Sequence, residues 1–143
     1  MKRFLLAAVL LCLSLGGAFA GDRIWSAVLL ATRETPPPPV PAKLADFEGT
    51  LKKVFGYNSF YLLGEKTKDI QSGATEWLVP SKRIFMKTSI LESSTTGYRM
   101  RIELYNNKEL LVTTEAKLAR DAPLYIRGPQ WGRGQIVAIL KVR

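Results

Sequence analysis

The segment YRMRIELY, Tyr98 to Tyr105, switches between apolar and charged residues at almost every step. Tyr98, Met100, Ile102 and Leu104 fall on one side, and Arg99, Arg101 and Glu103 on the other. Successive side chains of a strand point to opposite faces, so this period of two describes a strand buried on one side and solvated on the other. Arg83 to Leu91 repeats the pattern, with Ile84, Met86, Thr88 and Ile90 in one register. Between the two segments Ser93-Ser94-Thr95-Thr96-Gly97 is a cluster of turn residues, and Asn106-Asn107 before Lys108 signals a tight hairpin. Strands linked in this way build an antiparallel sheet with one face on a core.

Further strand segments are Phe60 to Leu63, Glu76 to Val79 around Trp77, Lys108 to Leu118, Leu124 to Arg127, and Gln135 to Val142. The last is apolar in both registers and reads as a strand buried on most of both faces. Arg23 to Thr32 fits a strand or a helix by periodicity. A strand is favoured because the segment is short and a proline run, Pro36 to Pro39 with Pro41, stops it. That run has polyproline II character and serves as a stiff connector. Lys43 to Phe55 changes period: Leu44, Phe47, Leu51, Val54 and Phe55 line one helical face, Pro41 suits the first turn, and Gly56 suits the C-terminal cap. The expected fold is therefore α+β, a single domain with a largely antiparallel sheet of about six to seven strands and one amphipathic helix, about 43–55, packed on it.

The N-terminus reads as an export signal. Lys2 and Arg3 precede an apolar run from Phe4, and Ala18-Phe19-Ala20 forms an A-x-A cleavage pattern before Gly21. The organisation expected is a cleavable signal at 1–20, an N-terminal strand and Pro-rich connector at 21–41, and a helix plus antiparallel β domain at 42–143, with 21–143 one structural unit. Cleavage removes Cys12, the only cysteine, and the chain has no histidine. The mature chain must then be held by its core alone, without disulfides. No later apolar run is long enough to span a membrane.

Those absences exclude most catalytic templates. Without His or Cys there is no Ser-His-Asp triad, no thiol nucleophile and no imidazole base. Zinc loses its usual ligands, and the 12 acidic residues are scattered rather than clustered for calcium or magnesium. No catalytic, metal or cofactor-binding residues are assigned. A carboxylate-based hydrolase is the one enzyme class left, with Glu103, Glu109 and Glu115 on or near adjacent strands. Arg99, Arg101 and Lys117 are the expected cross-strand companions of these acids.

Two of the 21 basic residues lie in the signal, leaving 19 against 12 acidic ones, a net charge of +7. Such a surface attracts anions, although the basic residues are spread along the chain. The candidate contacts for a partner or polyanion are Arg99, Arg101, Arg127, Trp131 and Arg133. The last three belong to IRGPQWGRGQ, Ile126 to Gln135. It lacks the Lys-Ser or Lys-Thr and the following helix of a phosphate loop, so it reads as a reversal between two strands. Pairing is expected to stop near Gly128 and resume near Gln135, with Trp131 folded back as a lid and Arg127 and Arg133 as solvated flanks.

The function expected is that of an exported, non-enzymatic binding or interaction domain, an accessory component of a bacterial-type cell envelope, periplasmic or extracellular. Its partner would be an envelope protein. A basic and aromatic surface taking an anionic glycan is the alternative, and a small carboxylate-based hydrolase the second. Nucleic acid is not expected outside the cell.

Overall fold

A computed structural model describes residues 22–70, 75–80 and 83–143. The expected signal at 1–20 lies outside the described residues. The alternating segments become strands: β1 (Arg23–Thr32), β2 (Ser59–Asp69), β3 (Thr75–Pro80), β4 (Ile84–Ser94), β5 (Gly97–Asn106), β6 (Glu109–Ala119), β7 (Leu124–Trp131) and β8 (Gly134–Val142). Between β1 and β2 a 3-10 helix, Ala42–Phe47, continues into α1, Glu48–Phe55. Among the described residues the α+β class, the antiparallel pairing and the single helical region stand as expected.

The strands divide between two sheets of four, in the orders β2-β1-β8-β7 and β3-β4-β5-β6. All pairs are antiparallel and join strands adjacent in sequence, except that β8 returns to pair with β1, and the chain changes sheet between β2 and β3 and between β6 and β7. The result is a meander wrapped into a sandwich, since an antiparallel hairpin needs only a short connection. Ile24, Val28, Ile136, Ala138 and Leu140 of the first sheet meet Ile84, Met86, Met100, Ile102, Leu104 and Leu118 of the second.

The first sheet is buried on its other face as well. Trp25, Ala27, Leu29, Ala31, Val137 and Ile139 point away from the second sheet and pack under Leu44, Phe47, Leu51 and Phe55. Trp25 stacks on Phe47 with ring centroids 5.1 Å apart. Its indole N–H donates to Glu65 at 2.9 Å, so the buried ring keeps its polar edge satisfied. This double burial explains why β1 and β8 are apolar in both registers.

Val54 departs from the expected helical face and is 56% exposed. The segment begins as a 3-10 helix, which winds more tightly than α, so one 3.6-residue period does not run through it. Leu51 and Phe55 cover the sheet, and Val54 is left on the flank. Gly56 caps α1 in the left-handed conformation, φ 72°, with its N–H donating to Lys52.

The stretch from Ile126 to Gln135 is more regular than its glycines suggest. β7 runs to Trp131 and β8 starts at Gly134, so the reversal is the two-residue turn Gly132-Arg133. Pairing is interrupted between Arg127 and Gln130, near Gly128 as expected, and resumes with Gln130 opposite Gln135, continuing to Trp131 opposite Gly134. Pro129 sits in that irregularity on an edge strand, where its missing donor costs no ladder bond. The positive φ belongs to Gly132, at 60°. Gly134 serves another purpose: a Cβ there would lie 2.4 Å from the Ala31 carbonyl oxygen.

Candidate functional site

The outer faces of the two sheets differ. The helix and its 3-10 extension cover that of the first sheet, whereas no described element covers that of the second. Register places Phe85, Lys87 and Ser89 of β4 beside Tyr105, Glu103 and Arg101 of β5, and Arg99 beside Glu92. On the other side Arg99, Arg101, Glu103 and Tyr105 face Lys117, Glu115, Thr113 and Leu110 of β6. An apolar row, Phe85-Tyr105-Leu110, therefore crosses three strands, and charged rows continue from it. Leu110 is 48% exposed.

The charges are organised by cross-strand pairing. Arg99 lies between two carboxylates, reaching Glu92 at 3.4 Å and Glu115 at 3.3 Å. Arg101 also reaches Glu115, at 3.1 Å. Arg99 and Arg101 are thus companions of Glu115 as expected, while Lys117 turns instead to the Thr96 hydroxyl at 3.0 Å. These side chains are about half exposed, so each pair contributes well under about 1 kcal/mol, but together they hold both guanidinium groups in place. Glu92, Arg99, Glu115 and Lys117 line an open depression of about 470 Å³ at one end of the face.

Of the three glutamates considered for hydrolysis, Glu103 and Glu115 are diagonal neighbours on this face and Glu109 stands opposite Asn106 at the hairpin turn. The Glu115 oxygens are occupied by arginines, and Glu103 accepts a hydrogen bond from the Tyr105 hydroxyl. That bond raises the Tyr105 phenol above its usual value. Among the described residues no three acidic side chains gather where they could hold a metal ion, and no helix is long and apolar enough to cross a membrane.

The five candidate contact residues do not form one patch. Arg99 and Arg101 lie on the bare face of the second sheet, whereas Arg127, Trp131 and Arg133 belong to the β7–β8 hairpin of the first. No known protein family matches this chain, and no curated protein or solved structure is significantly similar to it.

Within the hairpin the three residues have different surroundings. Trp131 is half-buried against the inter-sheet core, the lid position expected of it, and the Arg83 guanidinium lies 5.9 Å from its ring centroid. Arg133 occupies the exposed turn. Arg127 is exposed, as expected of a solvated flank, but its guanidinium is held in place. It donates to the Gln135 side chain at 2.9 Å and lies 4.9 Å from the Phe55 ring centroid. Arg83, far away in sequence, was missed as a neighbour of Trp131 because no local pattern links the start of β4 to the β7–β8 turn.

At the opposite end Tyr98 donates its hydroxyl to Asp22, and Arg120 pairs with the same carboxylate while stacking 4.9 Å from the Tyr98 ring. Burial raises the Tyr98 phenol above its usual value. This cluster ties the start of β1 to the end of β6, and Arg120 also donates to the Thr95 and Ser94 carbonyls of the β4–β5 turn.

Proposed function

We propose that this chain is an exported, non-enzymatic interaction domain of a bacterial-type cell envelope, acting periplasmically or extracellularly, and that it docks a protein partner on the bare face of its second sheet. The observation that supports this reading is the asymmetry of the two sheets: a helix seals one outer face, and no described element covers the other. A face with an apolar row beside pre-arranged charges of both signs suits a protein surface, where apolar contact supplies affinity and charge complementarity sets orientation. A polyanion would be a poor match for it, because Glu92 and Glu115 already neutralise Arg99 and Arg101 and would repel added negative charge. Export rests on the basic start, apolar run and A-x-A pattern of the first twenty residues.

In-cell crosslinking from photoreactive residues placed at Thr113 and Lys117, followed by identification of the captured protein, tests the reading. The double variant Arg101→Glu with Leu110→Asp should keep its fold and lose the captured partner. Capture that is unchanged in this variant would place the partner elsewhere and overturn the assignment of the face.

A further inference from the structure

Pairing divides the arginines of this protein into two groups. Arg23, Arg99, Arg101 and Arg120 each have a carboxylate partner: Asp69, Glu92 with Glu115, Glu115, and Asp22 respectively. Arg33, Arg83, Arg127, Arg133 and Arg143 have none among the described residues. Arg143 lies beside Arg23 and Trp25 at the other end of β1, whereas the other four are gathered in space. Arg33 directly follows β1, whose end pairs with the start of β8 beside the Gly132-Arg133 turn. Arg83 lies against Trp131, and its carbonyl accepts a bond from Asn107, which brings the β5–β6 turn and Lys108 to the same end. Arg127 reaches Gln135, one residue from that turn.

We propose that this end of the sandwich, centred on Arg83, Trp131 and Arg133, binds an acidic glycan. It goes beyond the protein-docking face, which lies on the second sheet and uses different residues. Guanidinium groups without internal carboxylates keep their donors for an outside anion, and a planar fork suits carboxylate and sulfate oxygens. Trp131 acts on Arg83: the ring holds the guanidinium over its face and so orients the donors before ligand arrives.

The surroundings discriminate among polyanions. A single-stranded nucleic acid is held by bases stacked on open aromatic faces, but Trp131 packs on the core and carries Arg83. A lipid surface is held by apolar side chains inserted beside basic ones. Here the exposed Val54, beside Arg127, and the exposed Leu110, in the β5–β6 hairpin, lie over opposite outer faces of the sandwich, so they do not form one insertable edge. Guanidinium donors beside an aromatic ring that is already occupied, without a continuous apolar edge, fit an acidic polysaccharide.

The test uses fluorescent heparin oligosaccharide as the probe, titrated at several salt concentrations, with melting temperature confirming the fold of each variant. Arg83→Gln with Arg133→Gln should weaken binding roughly tenfold and flatten its salt dependence, because ion contacts are lost. Arg133→Glu, a change in an exposed turn, should weaken it at least as much without disturbing the fold. Arg99→Gln with Arg101→Gln removes the same net charge from the other face and should leave affinity within about twofold. Equal losses in the two double variants would overturn the proposal by showing that overall charge alone is sensed. Tighter binding to a single-stranded oligonucleotide or to vesicles containing phosphatidylglycerol, with the same sensitivity to Arg83 and Arg133, would also overturn it.

Discussion

Arg127 bridges two layers: its guanidinium lies 4.9 Å from the ring centroid of Phe55, on α1, while the same group donates to Gln135 of β8. One charged side chain thereby ties the end of the helix to the β7–β8 hairpin. A second bond, at 3.5 Å, reaches the Val54 carbonyl, one of the acceptors that a helix leaves without a partner at its C-terminus. Arg127→Gln should lower stability by about 0.5–1 kcal/mol in chemical denaturation. Little further loss should follow in a variant that already carries Phe55→Leu. Full additivity of the two changes would mean that the ring and the guanidinium do not interact.

Leu51 is completely buried under the helix, whereas Lys53 is exposed. Leu51→Asp would place an unpaired charge against the first sheet and should cost more than about 3 kcal/mol, enough to unfold much of the population. Lys53→Gln should leave the melting temperature almost unchanged. Similar melting temperatures for the two variants would contradict the packing of α1.

Gly134→Ala should be destabilising, with backbone rather than turn preference as the reason. The added methyl would meet the Ala31 carbonyl at 2.4 Å, and a main-chain oxygen in a ladder cannot swing away. Gly132→Asn should be far milder, since nothing lies within 4 Å of its Cβ position and Asn tolerates positive φ. Thermal melting of the two variants gives the comparison, and the reverse ranking would be incompatible with this hairpin.

Burial raises the Tyr98 phenol above its usual value of 10.0. The folded protein therefore keeps a proton that the unfolded chain releases, so this contribution is complete below pH 10 and is lost as pH rises further. As pH rises above about 10 the melting temperature of the wild type should fall more steeply than that of Tyr98→Phe. Parallel curves would show that this phenol does not couple to folding.

The exported product should begin at Gly21, the residue after Ala18-Phe19-Ala20. N-terminal sequencing of protein recovered outside the cytoplasm checks it, and a start at Met1 would remove the argument for export.

Local pattern carried the reading of individual elements. Tyr98, Met100, Ile102 and Leu104 are buried and Arg99 and Arg101 exposed, because a strand with one wet face has only two registers to choose between. The division into two sheets was hidden, since a period of two tells which face is apolar but not which layer it meets. β1 illustrates this: Ile24 and Val28 face the second sheet, and Trp25 and Leu29 face the helix. IRGPQWGRGQ misled in the opposite direction. Its Pro and Gly residues mark a loop by composition, yet Pro129 falls at an irregularity in an edge strand and Gly134 relieves a close approach. The surroundings of Arg127 and Arg83 depend on residues 73 and 48 positions away, Val54 and Trp131, and no sequence window spans such distances.

The position of β8 constrains the order in which the molecule can be assembled. It is the last of the described strands in chain order, yet it lies inside its sheet, between β1 and β7. Until Gly134–Val142 emerges, β1 has one hydrogen-bonding edge open and Trp25, Leu29 and the helix have an incomplete floor beneath them. The β3–β6 hairpins involve only neighbours in sequence and can form early, whereas the first sheet waits for a closure across more than a hundred residues, Ile24 to Val142. If the chain is exported as proposed, that delay would leave the inner edge of β1 unpaired until β8 has followed it through.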